Sequence, residues 1–284
     1  MPERRSKRLE GRSRGVRRPD RDPSHALGTL AAVAHWFVAI GDSFTEGVGD
    51  VDASRPNGVR GWADRVAEVL ARQTDDFGYA NLAVRGRTMR RILFEQLDPA
   101  IALEPDLVTV YAGGNDLIRP RCDVDALGEV YDEAIGKLAA TGATVGLFTA
   151  FDPGGGGPFA RLRGRFAVYN EQIREIADRH GAVVLDSWRM RPEHPALMWS
   201  EDRLHLGPLG HRAVAIEVLG TLGVPHDLDL SDPTGSLGPT PVRAGTRADL
   251  DWAVRHAAPW IKRRLTGRSS GDGVTAKRPT LEPI

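Results

Sequence analysis

The chain has 284 residues, 41% of them hydrophobic, with Lys+Arg and Asp+Glu both at 38. That length and apolar content support one large domain or two small ones and exclude a wholly disordered chain. The balanced charge gives no case for a nucleic-acid partner, and a single cysteine, Cys122, excludes an intrachain disulfide and fits a reducing compartment.

The charge balance hides two basic ends. Residues 1–22 hold nine Lys/Arg against four Asp/Glu and little that is apolar, so residues 1–28 are expected to be a disordered basic tail. The apolar stretch that follows, 26–40, resembles a signal sequence but runs without a cleavage signal into Gly41-Asp42-Ser43. It is also shorter than the about 20 apolar residues a membrane span needs. The expected location is cytoplasmic, with no stable membrane insertion.

From there the elements alternate. A buried strand is expected at 35–41, a helix at 61–73 with Trp62, Val66, Val69 and Leu70 on one face, and a second strand at 77–84. A helical stretch broken at Pro99 leads to the β-branched run 106–116, the strongest strand signal of the chain. Helix, strand, helix, strand and helix follow, ending at about residue 222. Strands separated by helices imply a parallel sheet with both faces covered, an α/β fold. Reactive groups in such sheets gather at the carboxyl ends of the strands. Ser43, Gly86 and Asn115 each follow a strand, and Asp202 and His205 precede the last of these helices.

Four stretches carry a resemblance: "GDSFTEG" with Ser43, "NLAVRGRT" with Gly86, "GGND" with Asn115, and "DRLH" with Asp202 and His205. In this order they resemble the four blocks of the SGNH, or GDSL, hydrolases, over roughly residues 36–221. The resemblance implies a three-layer α/β/α sandwich with a central parallel sheet, flavodoxin-like, and hydrolysis of carboxylic esters or thioesters by a serine nucleophile without metal or other cofactor. The residue chemistry agrees. A serine hydroxyl needs a base within hydrogen-bond reach, and Asp202, three residues before His205, can return to the imidazole and fix its tautomer. The resemblance implies that the backbone N–H groups of Ser43 and Gly86 and the Asn115 amide form an oxyanion hole. Ala83 departs from the glycine common in the second block, and Arg85 could narrow the site or bind an anionic substrate group.

Each residue also has a plainer reading. Ser43 alone reads as a helix N-cap, Asn115 as a turn residue, and Asp202 with His205 as a surface pair. Phe44, Met198 and Trp199 read either as the wall of an acyl pocket or as core. The sequences "GRSRG" (11–15) and "GRSSG" (267–271) imitate a nucleophile elbow, but neither follows a strand. "PGGGGP" (153–158) lacks the Lys-Ser/Thr of a phosphate loop. His194 and His211 read as solvent or packing histidines, so no metal is expected. Residues 29–222 are thus assigned to the hydrolase domain and 223–265 to an extended connection with a packing helix at 246–265. Residues 266–284 are assigned to a disordered basic tail. The expected partner is a small acyl ester, with no nucleic acid. Acyl transfer through the same acyl-enzyme, or a non-catalytic binding module on the same fold, are the alternatives.

Overall fold

A computed structural model of the chain describes residues 34–154, 159–190, 195–230 and 269–284. The basic stretch 1–28 and the helix expected at 246–265 lie outside the described residues, as does His194.

Six strands form one sheet: β1 (Trp36–Ile40), β2 (Gly78–Asn81), β3 (Leu107–Val110), β4 (Thr144–Phe148), β5 (Val183–Leu185) and β6 (Arg278–Glu282). Their order is β5-β4-β3-β1-β2-β6, and the first five run parallel. Both faces are covered, so the strands read as apolar runs whose successive side chains go to opposite layers. In β1, Phe37 and Ala39 join the core built with α2 (Gly61–Ala71) and α8 (Pro208–Thr221). Val38 and Ile40 join the core built with α6 (Val124–Ala139) and α7 (Arg163–His180). Trp62, Val66, Val69 and Leu70 of α2 are all buried in the first core, as their spacing predicts. This is the three-layer sandwich expected from the sequence. After β2 the chain crosses to the other side of β1, so β1 and β3 flank the point at which winding direction reverses, where α/β sheets open a crevice at their carboxyl edge.

Pro99 does not break its helix. The segment runs from α3 (Met89–Ile92) through a π-helical turn (Leu93–Leu97) into α4 (Asp98–Ala102), with Pro99 in the first turn of the last piece. The register change before Pro99 leaves proline where a backbone donor has no intrahelical acceptor to serve.

The C-terminal end is a second correction. Residues 269–284, expected as tail, are folded on the body, and β6 pairs antiparallel with β2 at the sheet edge. Its two basic side chains, Lys277 and Arg278, are buried and not solvated surface. Lys277 inserts its ammonium 2.8 Å from Asp64 Oδ1 with neither side chain exposed, and it donates to the Arg60 carbonyl at 2.6 Å. The Arg278 guanidinium lies over the Tyr79 ring at 5.9 Å. Proline at 279 is tolerated because an edge strand leaves alternate N–H groups unpaired.

Candidate functional site

The carboxyl end of β1 turns through Gly41 into the short helix α1 (Ser43–Glu46). Asp42 is its N-cap, and its Oδ1 accepts from the Phe44 N–H at 3.0 Å. The capping reading of Ser43 is therefore taken up by its neighbour, and the Ser43 hydroxyl is directed to His205. Ser43 Oγ lies 3.1 Å from His205 Nε2, and His205 Nδ1 lies 2.6 Å from Asp202 Oδ2. A neutral imidazole satisfies both contacts when Nδ1–H donates to the carboxylate and Nε2 accepts from the serine hydroxyl.

The turn that carries this pair is strongly specified. Asp202 Oδ1 accepts from the Leu204 and His205 N–H groups, each at 2.9 Å, and from Ser200 Oγ at 2.7 Å. Ser200 N–H donates to the His205 carbonyl at 2.9 Å, and Gly207 N–H to the Met198 carbonyl at 2.8 Å, closing a narrow loop. Burial works to raise the Asp202 carboxyl, but the hydrogen bond and charge of His205 outweigh it and hold the group well below the usual carboxylate range. Gly49 joins this loop to the one after α1. Its φ is +101°, and a Cβ there would stand 2.1 Å from the Leu206 carbonyl oxygen.

Asn115 sits in the single-turn helix α5 (Gly114–Leu117) after β3. Its Nδ2 donates to Asp42 Oδ2 at 2.9 Å and to the Arg87 carbonyl at 3.1 Å, so the amide is already engaged on both hydrogens. The same Asp42 thus caps the serine helix and orients Asn115. Burial is the main influence on its carboxyl, which is pushed up to about 7 against the Phe44 N–H and the charge of His205. Gly86, with φ +73°, lies in the turn between Arg85 and Arg87.

Arg85 differs from the expectation of a substrate-binding cation. Its Nη2 lies 2.5 Å from Glu46 Oε1, its Nε 3.0 Å from the same oxygen, and its backbone N–H 2.7 Å from Glu46 Oε2. Glu46 is fully buried at the end of α1, so Arg85 neutralises an internal carboxylate and fastens the Gly86 turn to the serine helix. Phe44 and Met198 prove to be core. The Phe44 ring packs against Trp62, Tyr111, Phe148 and Phe151 at centroid distances of 4.5–5.6 Å. Trp199, just before the Asp202–His205 turn, and Leu204, within it, are each 37% exposed, and Trp199 meets Phe151 at 6.1 Å.

His211 is a packing histidine. In α8 it is fully buried, Nδ1 accepting from the Trp62 N–H and Nε2 donating to the Val48 carbonyl, each at 3.3 Å. Burial brings its pKa down to about 4 despite the nearby Asp50 carboxylate. The unfolded chain therefore takes up a proton that the native state resists between pH 6.5 and about 4, and this contribution to stability is lost on acidification. Asp42 acts in the opposite sense over much of that range, so the His211 effect is read as a difference. Denaturant titrations at pH 7 and pH 5 should show wild type losing more stability than His211→Gln. Equal losses would contradict the assignment.

Among the described residues no helix is long and apolar enough to cross a membrane. No curated protein sequence matches the chain. Solved structures do. An α/β hydrolase, LAE5, from the metagenome of Lake Arreo, Spain, shares 23% identity at a TM-score of 0.56, the match covering 68% of this chain and 98% of that one. The acetylxylan esterase Axe2 of Geobacillus stearothermophilus shares 20% at 0.54, covering 67% and 95%. The psychrotrophic esterase EstA of Pseudoalteromonas sp., in a structure inhibited by monoethylphosphonate, shares 19% at 0.52, covering 66% and 96%. At these identities the likeness establishes the fold. The sequence itself matches the GDSL-like lipase/acylhydrolase family over residues 39–213, from the strand before Ser43 into the helix after His205. With more than half its length in that match, this chain belongs to the GDSL-like lipase/acylhydrolase family, the ester-hydrolysing enzymes of SGNH type.

Proposed function

We propose that the protein cleaves carboxylic esters through an acyl-enzyme on Ser43. The observation that carries this reading is the unbroken chain Ser43 Oγ, His205 Nε2, His205 Nδ1, Asp202 Oδ2, with links of 3.1 and 2.6 Å. His205 takes the serine proton as Oγ attacks the acyl carbon, and Asp202 holds the tautomer and stabilises the imidazolium that results. The proton then passes to the departing alkoxide. Water, deprotonated by the same imidazole, attacks the acyl-enzyme, and the acid leaves with Ser43 restored.

The charge on the tetrahedral oxygen is received by the N–H groups of Ser43 and Gly86 and by Asn115. For Asn115 the donor is the Nδ2 hydrogen that otherwise meets the Arg87 carbonyl at 3.1 Å. Exchanging that longer bond for one to an oxyanion retains the 2.9 Å bond to Asp42 as the fixed support. Such an exchange favours the transition state over the ground state, which is the condition for raising kcat. The part-exposed Trp199 and Leu204 beside His205 offer an apolar shoulder to a carbon-rich substrate group.

The test is turnover of p-nitrophenyl esters of increasing acyl length by the purified protein, with free acid as product. Asn115→Ala should lower kcat by about 10²–10³-fold, the usual effect of one oxyanion donor, with a much smaller change in KM. A variant with wild-type kcat would remove Asn115 from the oxyanion hole. Absence of any ester turnover across the series would remove the reading itself.

A further inference from the structure

The C-terminal residues 269–284 lie outside the family match at 39–213, yet their first turn is seated on the Gly86 loop. Ser269 Oγ donates to the Gly86 carbonyl at 3.2 Å and accepts from the Gly271 N–H at 3.1 Å. Asp272 Oδ2 closes the turn by accepting from the Ser269 N–H at 2.9 Å. The packing is tight in both directions. A Cβ on Gly86 would stand 2.4 Å from Ser269 Oγ, and a Cβ on Gly271 would stand 2.1 Å from the Arg85 carbonyl oxygen. That oxygen belongs to the peptide unit whose N–H is the Gly86 donor, so whatever presses on one displaces the other.

The turn is held from behind. Lys277 is anchored on Asp64, and Asn57 Nδ2 donates to the Thr275 carbonyl at 3.0 Å. Asp64 Oδ1 accepts from Tyr79 OH at 3.0 Å. Tyr79 OH accepts from Asn81 Nδ2 at 2.9 Å, and the same Nδ2 donates to the Thr45 carbonyl of α1 at 2.9 Å. The anchor of the C-terminal segment is thereby in hydrogen-bonded continuity with the helix that carries Ser43. On its other sides the Gly86 loop is fastened by Glu46 to α1 and by Asn115 to α5.

We propose that the C-terminal segment is a positioning element for the reaction: the Ser269–Gly271 turn, braced through Lys277, fixes the Arg85–Gly86 peptide so that its N–H is aimed at the oxyanion. The proposal rests on the reading of Gly86 as an oxyanion donor. It adds to the four sequence blocks a fifth piece, distant in sequence, that touches the loop and not the substrate. Displacement of a catalytic group by about 1 Å costs roughly 10²-fold in rate, so a turn packed this closely is able to govern kcat.

The test uses full-length protein and Gly271→Ala, which presses a methyl group on the Arg85 carbonyl, with Ser269→Ala as a gentler variant that removes only the hydroxyl. Thr280→Ala, exposed on β6, is the control. The expected result for Gly271→Ala is a fall in kcat approaching 10²-fold on p-nitrophenyl acetate, with KM within about threefold, a fold still intact at the assay temperature by circular dichroism, and faster hydrogen exchange in 83–87. Ser269→Ala should move kcat and exchange in the same direction by less, and should decide the matter if Gly271→Ala folds poorly. Wild-type kcat in both variants of an active enzyme overturns the proposal alone. Faster exchange with unchanged kcat also overturns it, since the turn would then hold the loop without serving the chemistry. A wild-type protein without esterase turnover overturns the ester-hydrolysis reading and this proposal with it.

Discussion

Ser43→Ala is expected to lower kcat for p-nitrophenyl acetate by about 10⁴- to 10⁶-fold, the range spanned when single members of a serine triad are replaced, with the nucleophile at its upper end. The size of the effect follows from the arrangement at 43, 205 and 202. His205 has one proton acceptor, Nε2, and it is directed at Ser43 Oγ, while its other nitrogen is committed to Asp202. Without the hydroxyl, the imidazole and the proposed oxyanion donors remain but no covalent intermediate can form on residue 43. Ser43→Ala and His205→Ala should therefore be about equally impaired and the double variant little worse, because the residues act as a unit. The alanine variant should fold normally, since the cap of α1 is the Asp42 carboxylate and not the serine hydroxyl. Circular dichroism and initial-rate kinetics on the same preparations give both answers. Retention of wild-type turnover by Ser43→Ala would end the assignment.

Lys277→Met should destabilise the fold by about 3–5 kcal/mol, the usual cost of removing one member of a buried ion pair. At about 2–4 °C per kcal/mol for a domain of this size, Tm falls by roughly 6–20 °C. Burial pulls the Lys277 ammonium down and the Asp64 carboxyl up, and each is opposed by the other's charge. Methionine keeps the apolar stem of lysine and removes the charge. That leaves Asp64 buried with Oδ2 lacking any hydrogen-bond partner and Oδ1 with Tyr79 only. The double variant Asp64→Leu/Lys277→Met should recover much of the loss, because neutral packing replaces a buried charge that has lost its partner. A single variant within about 0.5 kcal/mol of wild type would show that the Lys277–Asp64 pair contributes nothing to the fold.

The central layers were legible in the sequence because their signals are local. A strand buried on both faces reads as an apolar run, an amphipathic helix repeats every three or four residues, and together they dictate a parallel sheet. The candidate site was legible for a similar reason: Asp202 and His205 lie within one turn, and Ser43 and Asn115 lie a few residues beyond the ends of β1 and β3. What escaped depended on distant partners. Nothing around Glu46 announces that it will be wholly buried and that Arg85 will be consumed in neutralising it. The Asp42 carboxylate reads as part of a motif, and its double duty to Phe44 and Asn115 appears only when β1 and β3 are adjacent. The stretch 266–284 looked like tail because its composition is polar and it contains proline. Residues 269–284 are held by Lys277 meeting Asp64, a pairing across 213 positions that no local pattern encodes. The break expected at Pro99 failed for a different reason. Helix registers can shift by one residue before a proline, and propensity does not foresee the shift.

The claim on which the enzymology depends is that the hydroxyl at 43 is made nucleophilic by the imidazole at 205. Treating the folded protein with a fluorophosphonate and mapping the adduct by mass spectrometry tests it most directly. The arrangement predicts a single adduct on Ser43, formed in step with the loss of esterase activity and greatly slowed in His205→Ala. Labelling that spares Ser43, or that proceeds as fast without the imidazole, would contradict it.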